Sequence, residues 1–269
     1  MAYTRNKDGI PLYPVSAANY GQWLANLPGL QQKWLKAAGF SAKAGELCGL
    51  PDSDGELQGY VFGMAQHGWL YQLAELPAKL TAGDYRLVTD WEPAQRLQAS
   101  LGWGLACYQF NLYRKQPKEM PSLVLDEDIA TEAENLLSAQ TLVRDLVNTP
   151  TEDLGPAQLA DAMQLESDRF GASMSVIHGV DLLSKNFPAI HAVGRASDRE
   201  PRLLKMEWGD DEHPLLALCG KGVCFDTGGL NLKPGTGMAL MKKDMGGAAH
   251  VLSLARLIMQ AQLPVRLMV

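Results

Sequence analysis

The chain has no basic cluster. Its 24 lysines and arginines are outnumbered by 30 aspartates and glutamates, giving a net charge of −6. The densest basic stretch, Arg114 and Lys115 followed by Lys118, is explained by a solvated loop, so the composition offers no footprint for nucleic acid. No apolar run approaches the roughly 18 residues needed to span a bilayer. The opening MAYTRNKDGIPLYPV lacks the apolar core of a secretory signal. Cysteine is sparse: Cys48, Cys107, Cys219 and Cys224 form no CxxC pair and have no histidine placed to complete a zinc finger, so they read as reduced thiols. There is no internal repeat and no low-complexity tract. These absences lead us to expect a soluble, cytoplasmic protein without a membrane partner. At 46% hydrophobic and 20% charged, 269 residues are enough for one large core or two smaller ones.

What is present reads as mixed α/β. Strand-like runs occur at 59–64, 69–73 and 85–90, and Leu97, Leu101, Leu105 and Tyr108 recur at helical spacing within 92–110. The segment 116–128, with two prolines and several charges, is the candidate boundary, dividing a small N-terminal α/β domain (1–120) from a second domain (121–269). A long helix follows, with Ile129, Ala133, Leu136, Ala139, Val143 and Leu146 on one face and Asn148-Thr149-Pro150 stopping it. Beyond it, helices at 155–170, near 181–186 and at 246–262 alternate with strand-like SMSVIH, RLLKMEW, PLLALC and LPVRLMV. Alternating helices and near-continuous apolar strands predict a mostly parallel central sheet flanked by helices.

Within the second domain lies KGVCFDTGGLNLKPGTGMALMKKDM, residues 221–245, directly after the apolar run LLALC. In open α/β sheets ligands gather beyond the carboxyl ends of strands, and glycines let backbone approach them closely. Neither the P-loop spacing nor GxGxxG is met here, which argues against a nucleotide. Asp226 and Asp244 are hard oxygen donors suited to Mn²⁺, Mg²⁺ or Zn²⁺, and a lysine that loses its proton can also ligate. A second lysine kept protonated, Lys233, could donate to a developing oxyanion. Taken singly, each residue has an ordinary explanation: an aspartate after a strand commonly caps a helix, and a lysine in a Gly-Pro loop is commonly solvated.

The order GKGVCFDTGG, LKP, MKKDMGGAA resembles the signature of the leucyl aminopeptidase family, the dinuclear-metal cytosol aminopeptidases, peptidase family M17. The likeness is strongest over 219–250 and extends more weakly to VRDLVNTP (143–150) and AVGRAS (192–197). It implies that Lys221 ligates one metal ion, that Asp226 bridges two, and that Asp244 binds the same ion as Lys221. It also implies that Lys233 is the catalytic lysine, polarising the scissile carbonyl, and that Met241 lines the pocket for the substrate's first side chain, although a core methionine fits that position equally well. Two divalent ions, Zn²⁺ or Mn²⁺, peptide substrates and a homohexamer are implied by the same resemblance.

One departure is large. The family's second signature, Asn-Thr-Asp-Ala-Glu-Gly-Arg, which supplies further carboxylates and an arginine, is absent from these residues. We therefore expect the chain to be the N-terminal part of a longer metal-dependent aminopeptidase, inactive by itself, holding the small domain and the first half of the catalytic domain. The competing reading is a non-catalytic scaffold or regulatory member of the same fold. A lesser one keeps the site and changes the substrate to Cys-Gly peptides.

Overall fold

The computed structural model describes residues 2–6, 8–225 and 232–269, and it divides into two compact units, Met1–Leu137 and Ser138–Val269. The dividing line falls inside the long helix rather than in the loop before it.

The first unit is organised on a six-stranded sheet of β1 (Tyr3–Thr4), β2 (Ile10–Val15), β3 (Leu47–Pro51), β4 (Leu57–Gly63), β5 (Asp84–Leu87) and β6 (Ser122–Val124). The spatial order is β1-β6-β5-β2-β4-β3, parallel throughout except for the antiparallel pair β3/β4. Helices α1 (Tyr20–Ala25), α2 (Gly29–Ala37) and α3 (Pro93–Cys107) belong to the same unit. Pro93 sits at the start of α3, where its missing N–H costs nothing, and the Gln95 side chain accepts the Glu92 N–H at 3.0 Å. Ala99, Trp103 and Cys107 follow at every fourth position and bury one face of α3 among Leu12, Tyr85 and Leu123 of the sheet.

The expected strand at 69–73 is not one. Trp69–Tyr71 form a turn of 3-10 helix instead. Gly68, at φ +74°, turns the chain just before it. The Gln72 amide then pairs both ways with the backbone of Ala65, accepting its N–H at 2.9 Å and donating to its carbonyl at 3.1 Å. A side chain thus takes the Ala65 backbone bonds that a neighbouring strand would otherwise make, while Trp69 stacks edge-on against Trp91.

Helix α4 (Glu127–Asn148) carries Glu127 and Asp128 in its first turn, where acidic charge suits the helix dipole. The second unit continues with α5 (Pro156–Phe170), β7 (Ser173–His178), α6 (Asp181–Ser184), α7 (Pro188–Gly194), β8 (Arg202–Trp208), β9 (Leu215–Ala217), α8 (Gly235–Met238), α9 (Gly246–Gln260) and β10 (Arg266–Met268). Its strands lie in the order β7-β8-β10-β9.

The α/β class expected from the sequence stands, but the mostly parallel sheet is that of the first unit. In the second, β7/β8 and β8/β10 are antiparallel and β10/β9 is parallel. The physical reason is visible in β8, whose Lys205 and Glu207 pair with each other at 2.8 Å while Arg266 of β10 reaches Glu207. A strand with one face so charged is half-solvated, the habit of antiparallel sheets, and the continuous apolar pattern persists only in β9. The core of this unit joins Met206 and Leu267 of the sheet to Leu252, Ala255 and Met259 of α9 and to Leu159 and Met163 of α5.

Candidate functional site

Past the end of β9 the chain keeps close to its neighbours. The Leu218 N–H donates to the Met268 carbonyl at 2.8 Å, and three residues later the Lys221 carbonyl accepts the Ala248 N–H of α9 at 2.9 Å. This closeness explains two of the glycines. A Cβ on Gly220 would stand 2.6 Å from Val251 and 2.7 Å from the Ala248 Cα, and one on Gly247 would stand 2.9 Å from the Lys221 nitrogen. Only bare backbone lets the strand exit and the helix start meet, and their meeting carries Lys221 to the first turn of α9.

Asp244 comes from the opposite direction, on the 3-10 turn Met241–Met245 that runs directly into α9. Met241 and Met245 are both buried, and Met245 anchors that turn in the core. The Lys221 Nζ lies 2.5 Å from Asp244 Oδ2 and also donates to the Asp244 carbonyl at 3.2 Å. Their side chains are 57% and 26% exposed respectively, so the pair sits at a wet surface rather than in the core. Residues 23 positions apart in sequence therefore converge on one point.

The other expected residues fall as follows. Asp226 lies outside the described residues. Lys233 is exposed in the bend before α8, and it forms neither a hydrogen bond nor an ion pair with Lys221 or Asp244 among the described residues. Met241 borders an open cavity of about 550 Å³, together with Met238, Phe225, Thr151, Glu152 and Lys242. Its wall is apolar on the methionine side and polar around Glu152 and Lys242.

Three contributors to this region were not singled out from the sequence. Thr151 Oγ1 donates to the Phe225 carbonyl at 2.7 Å, and Arg199 donates to the carbonyls of Thr151 and Glu152 at 2.7 and 3.0 Å. Lys242 Nζ donates to the Asn148 carbonyl at 3.2 Å. Lys242 stands inside the quoted MKKDMGGAA and Thr151 directly follows VRDLVNTP, while Arg199 lies two residues beyond AVGRAS. Cys224 is free, and burial pushes its thiol up to about 11 despite the opposing influence of Arg199. That thiol is a poor ligand or nucleophile near neutral pH.

An ammonium held against a carboxylate is what a lysine–aspartate ligand pair looks like while the lysine keeps its proton. Without that proton the nitrogen and the neighbouring carboxylate oxygen would be donors of the kind that suit Zn²⁺ or Mn²⁺. The pair fits a metal ion but does not complete a site. Among the described residues no group of three His, Cys, Asp or Glu converges. Among them, too, no helix is long and apolar enough to cross a membrane.

Comparison with known proteins bears on the same residues. The family model for the cytosol aminopeptidase family, catalytic domain, matches residues 141–269, and that for the M17 aminopeptidase, N-terminal domain, matches 10–126. A probable cytosol aminopeptidase of Leifsonia xyli subsp. xyli is 36% identical over 251 residues, which are 86% of this chain and 50% of that one. The crystal structure of the cytosol aminopeptidase from Coxiella burnetii matches with a TM-score of 0.92 at 42% identity, covering 99% of this chain and 58% of the other. The bottromycin maturation enzyme BotP, in complex with Mn, matches with a TM-score of 0.77 at 25% identity, covering 96% and 58%. The chain spans about half the length, or less, of the curated relatives it matches.

Proposed function

The chain belongs to the cytosol aminopeptidase family, and from that premise we propose that it forms part of a metal-dependent hydrolase that removes the N-terminal residue, mostly apolar, from peptides. The observation that carries this reading is the convergence of Lys221 and Asp244 within 2.5 Å at the carboxyl edge of a sheet strand. Lys221 and Asp244 would hold one ion, and Asp226 would bridge it to a second. The Mn bound to BotP supports a divalent ion of this kind, Zn²⁺ or Mn²⁺. When bound, such ions supply Lewis-acid charge and a nucleophile at neutral pH.

The remaining work belongs to the chain's own side chains. Lys221 acts as a ligand only after giving up its proton, so metal uptake weakens as pH falls. Lys233 keeps its proton and donates toward the carbonyl oxygen as negative charge develops there. Met241, with Met238 beside it in the cavity wall, meets the first side chain of the peptide, and a flexible thioether accommodates apolar shapes of several kinds. We place the small domain at 1–120 and the first half of the catalytic domain at 121–269. The family models leave 127–140 between them, which supports a divide in or beside the first half of α4. A cytoplasmic homohexamer is the assembly that the family resemblance supports.

The test is leucine-amide hydrolysis by the protein in its full natural length, with metal content measured alongside. Chelation should abolish turnover and Mn²⁺ or Zn²⁺ should restore it. Lys221→Ala and Asp244→Ala should lose metal, while Lys233→Ala should keep metal and lose roughly 10²–10³ in kcat, the usual loss when an oxyanion donor is removed. Full turnover after complete removal of metal would refute the reading.

A further inference from the structure

We propose that Thr151 is a positioning residue for the metal-ligand set, holding through its hydroxyl the main chain next to Asp226 as one strut of a brace built on the turn between α4 and α5. The proposal rests on the function proposed above.

The turn is itself rigid. The Thr149 N–H and hydroxyl both donate to the Asp145 carbonyl, at 3.0 and 2.7 Å, and the N–H groups of Asp153 and Leu154 both donate to the Pro150 carbonyl, at 3.0 and 2.9 Å. From this base one strut reaches each arm that carries ligands. Thr151 Oγ1 holds the carbonyl of Phe225, the residue before Asp226, at 2.7 Å. The Asn148 carbonyl holds Lys242, two residues before Asp244, at 3.2 Å. Arg199 locks the base of the Thr151 strut. It donates to the carbonyls of Thr151 and Glu152, and its other terminal nitrogen pairs with the Glu152 carboxylate at 2.7 Å. The Lys221–Asp244 contact then closes the two arms on each other.

A turn of a few residues thus touches both segments on which the ligands stand, yet contributes no ligand itself. That arrangement matters because donors must be held within roughly 0.5 Å to bind an ion well, and a carboxylate is only as fixed as the backbone beneath it. The carbonyl that the hydroxyl holds belongs to Phe225, the residue before Asp226 in the sequence. Threonine suits the place because its short branched side chain has few rotamers in which to point the donor elsewhere.

The experiment measures the Mn²⁺ dissociation constant of the full-length protein, by competition with a chelating dye, and the melting temperature of each metal-free form. Thr151→Val keeps the shape and removes the donor, and it should weaken Mn²⁺ binding by roughly tenfold or more, the loss typical of outer partners of metal ligands, with metal-free melting unchanged. Thr151→Ser restores the donor and should bind as the wild type does. Lys242→Met cuts the other strut and should weaken binding in the same direction; it decides the matter if Thr151→Val does not fold. Wild-type affinity in Thr151→Val, or equal weakening in the valine and serine variants tracking a fall in metal-free melting, would overturn the positioning role alone. A wild-type protein that binds no divalent ion would overturn the aminopeptidase reading and this one with it.

Discussion

Cys107 and Cys219 carry the same side chain in opposite surroundings. Cys107 is buried at the end of α3, its thiol donates to the Pro121 carbonyl at 3.6 Å, and desolvation pushes it up from 9.0 to about 12. Cys219 is exposed just past β9. A thiol reagent at pH 8 should therefore modify Cys219 and spare Cys107 until the first unit unfolds, as peptide mapping by mass spectrometry would record; early labelling of Cys107 would contradict its burial. The same shift fixes a pH dependence. A folded-state pKa raised above the unfolded value favours folding fully below that unfolded value, near 9.0, and the contribution fades as pH climbs toward about 12. Tyr3, raised chiefly by burial while its hydroxyl donates to the Ser100 carbonyl, acts in the same direction. The urea midpoint of the first unit should decline above pH 9, and a flat profile would count against both. A motif named Lys221 and Asp244, and the structure brings their side chains into contact; the ligand role is the one proposed above. Thr151 was not legible in the sequence, because its partner Phe225 lies 74 positions away and no local pattern encodes that meeting.

Helices show how far local pattern reaches, and where tertiary chemistry takes over. The helices α3, α4 and α9 follow the 3.6-residue apolar period and were legible from it, and α5 from the proline at its start, but neither signal says anything of the bond between α5 and α9. There the Arg256 guanidinium meets the Glu166 carboxylate in two bonds, at 2.7 and 2.5 Å, and donates a third to the Ser138 carbonyl at 3.0 Å, with both residues buried. Removing one partner strands the other's charge away from water. Glu166→Ala should cost about 3–5 kcal/mol in urea denaturation, whereas the double change Glu166→Leu with Arg256→Met should fall far short of the sum of the single losses. Additive losses would mean that the two ions do not depend on each other. Strands were harder. In β2 the sequence IPLYPV holds two prolines, which ordinarily exclude a central strand, yet it pairs with β4 on one side and β5 on the other. β6 lies inside the proline-bearing segment 116–128 that reads as a boundary, and pairing with β1 and β5 overrides that signal.

At the scale of the whole chain, the sequence conveyed the class and the family but not the direction of the strands, because direction is decided by which neighbour each strand meets. That choice has a consequence at the edge of the second sheet. Among the described residues β9 pairs only with β10, so its far side presents backbone donors and acceptors without strand partners. Leu215 is 57% exposed there, and Ala217 and Cys219 are exposed with it. Such an apolar edge is a template for pairing with another chain. The 269-residue polypeptide, purified alone, should therefore self-associate with rising concentration in sedimentation velocity, and Leu215→Lys should shift it toward monomer by placing charge on the edge. Salt separates this cause from an electrostatic one. Each copy carries a net charge of −6, so like-charge repulsion opposes association. Screening over a Debye length of about 8 Å at physiological ionic strength should then strengthen edge pairing rather than weaken it. Association that falls with salt, or that persists unchanged in Leu215→Lys, would place the contact on a different surface.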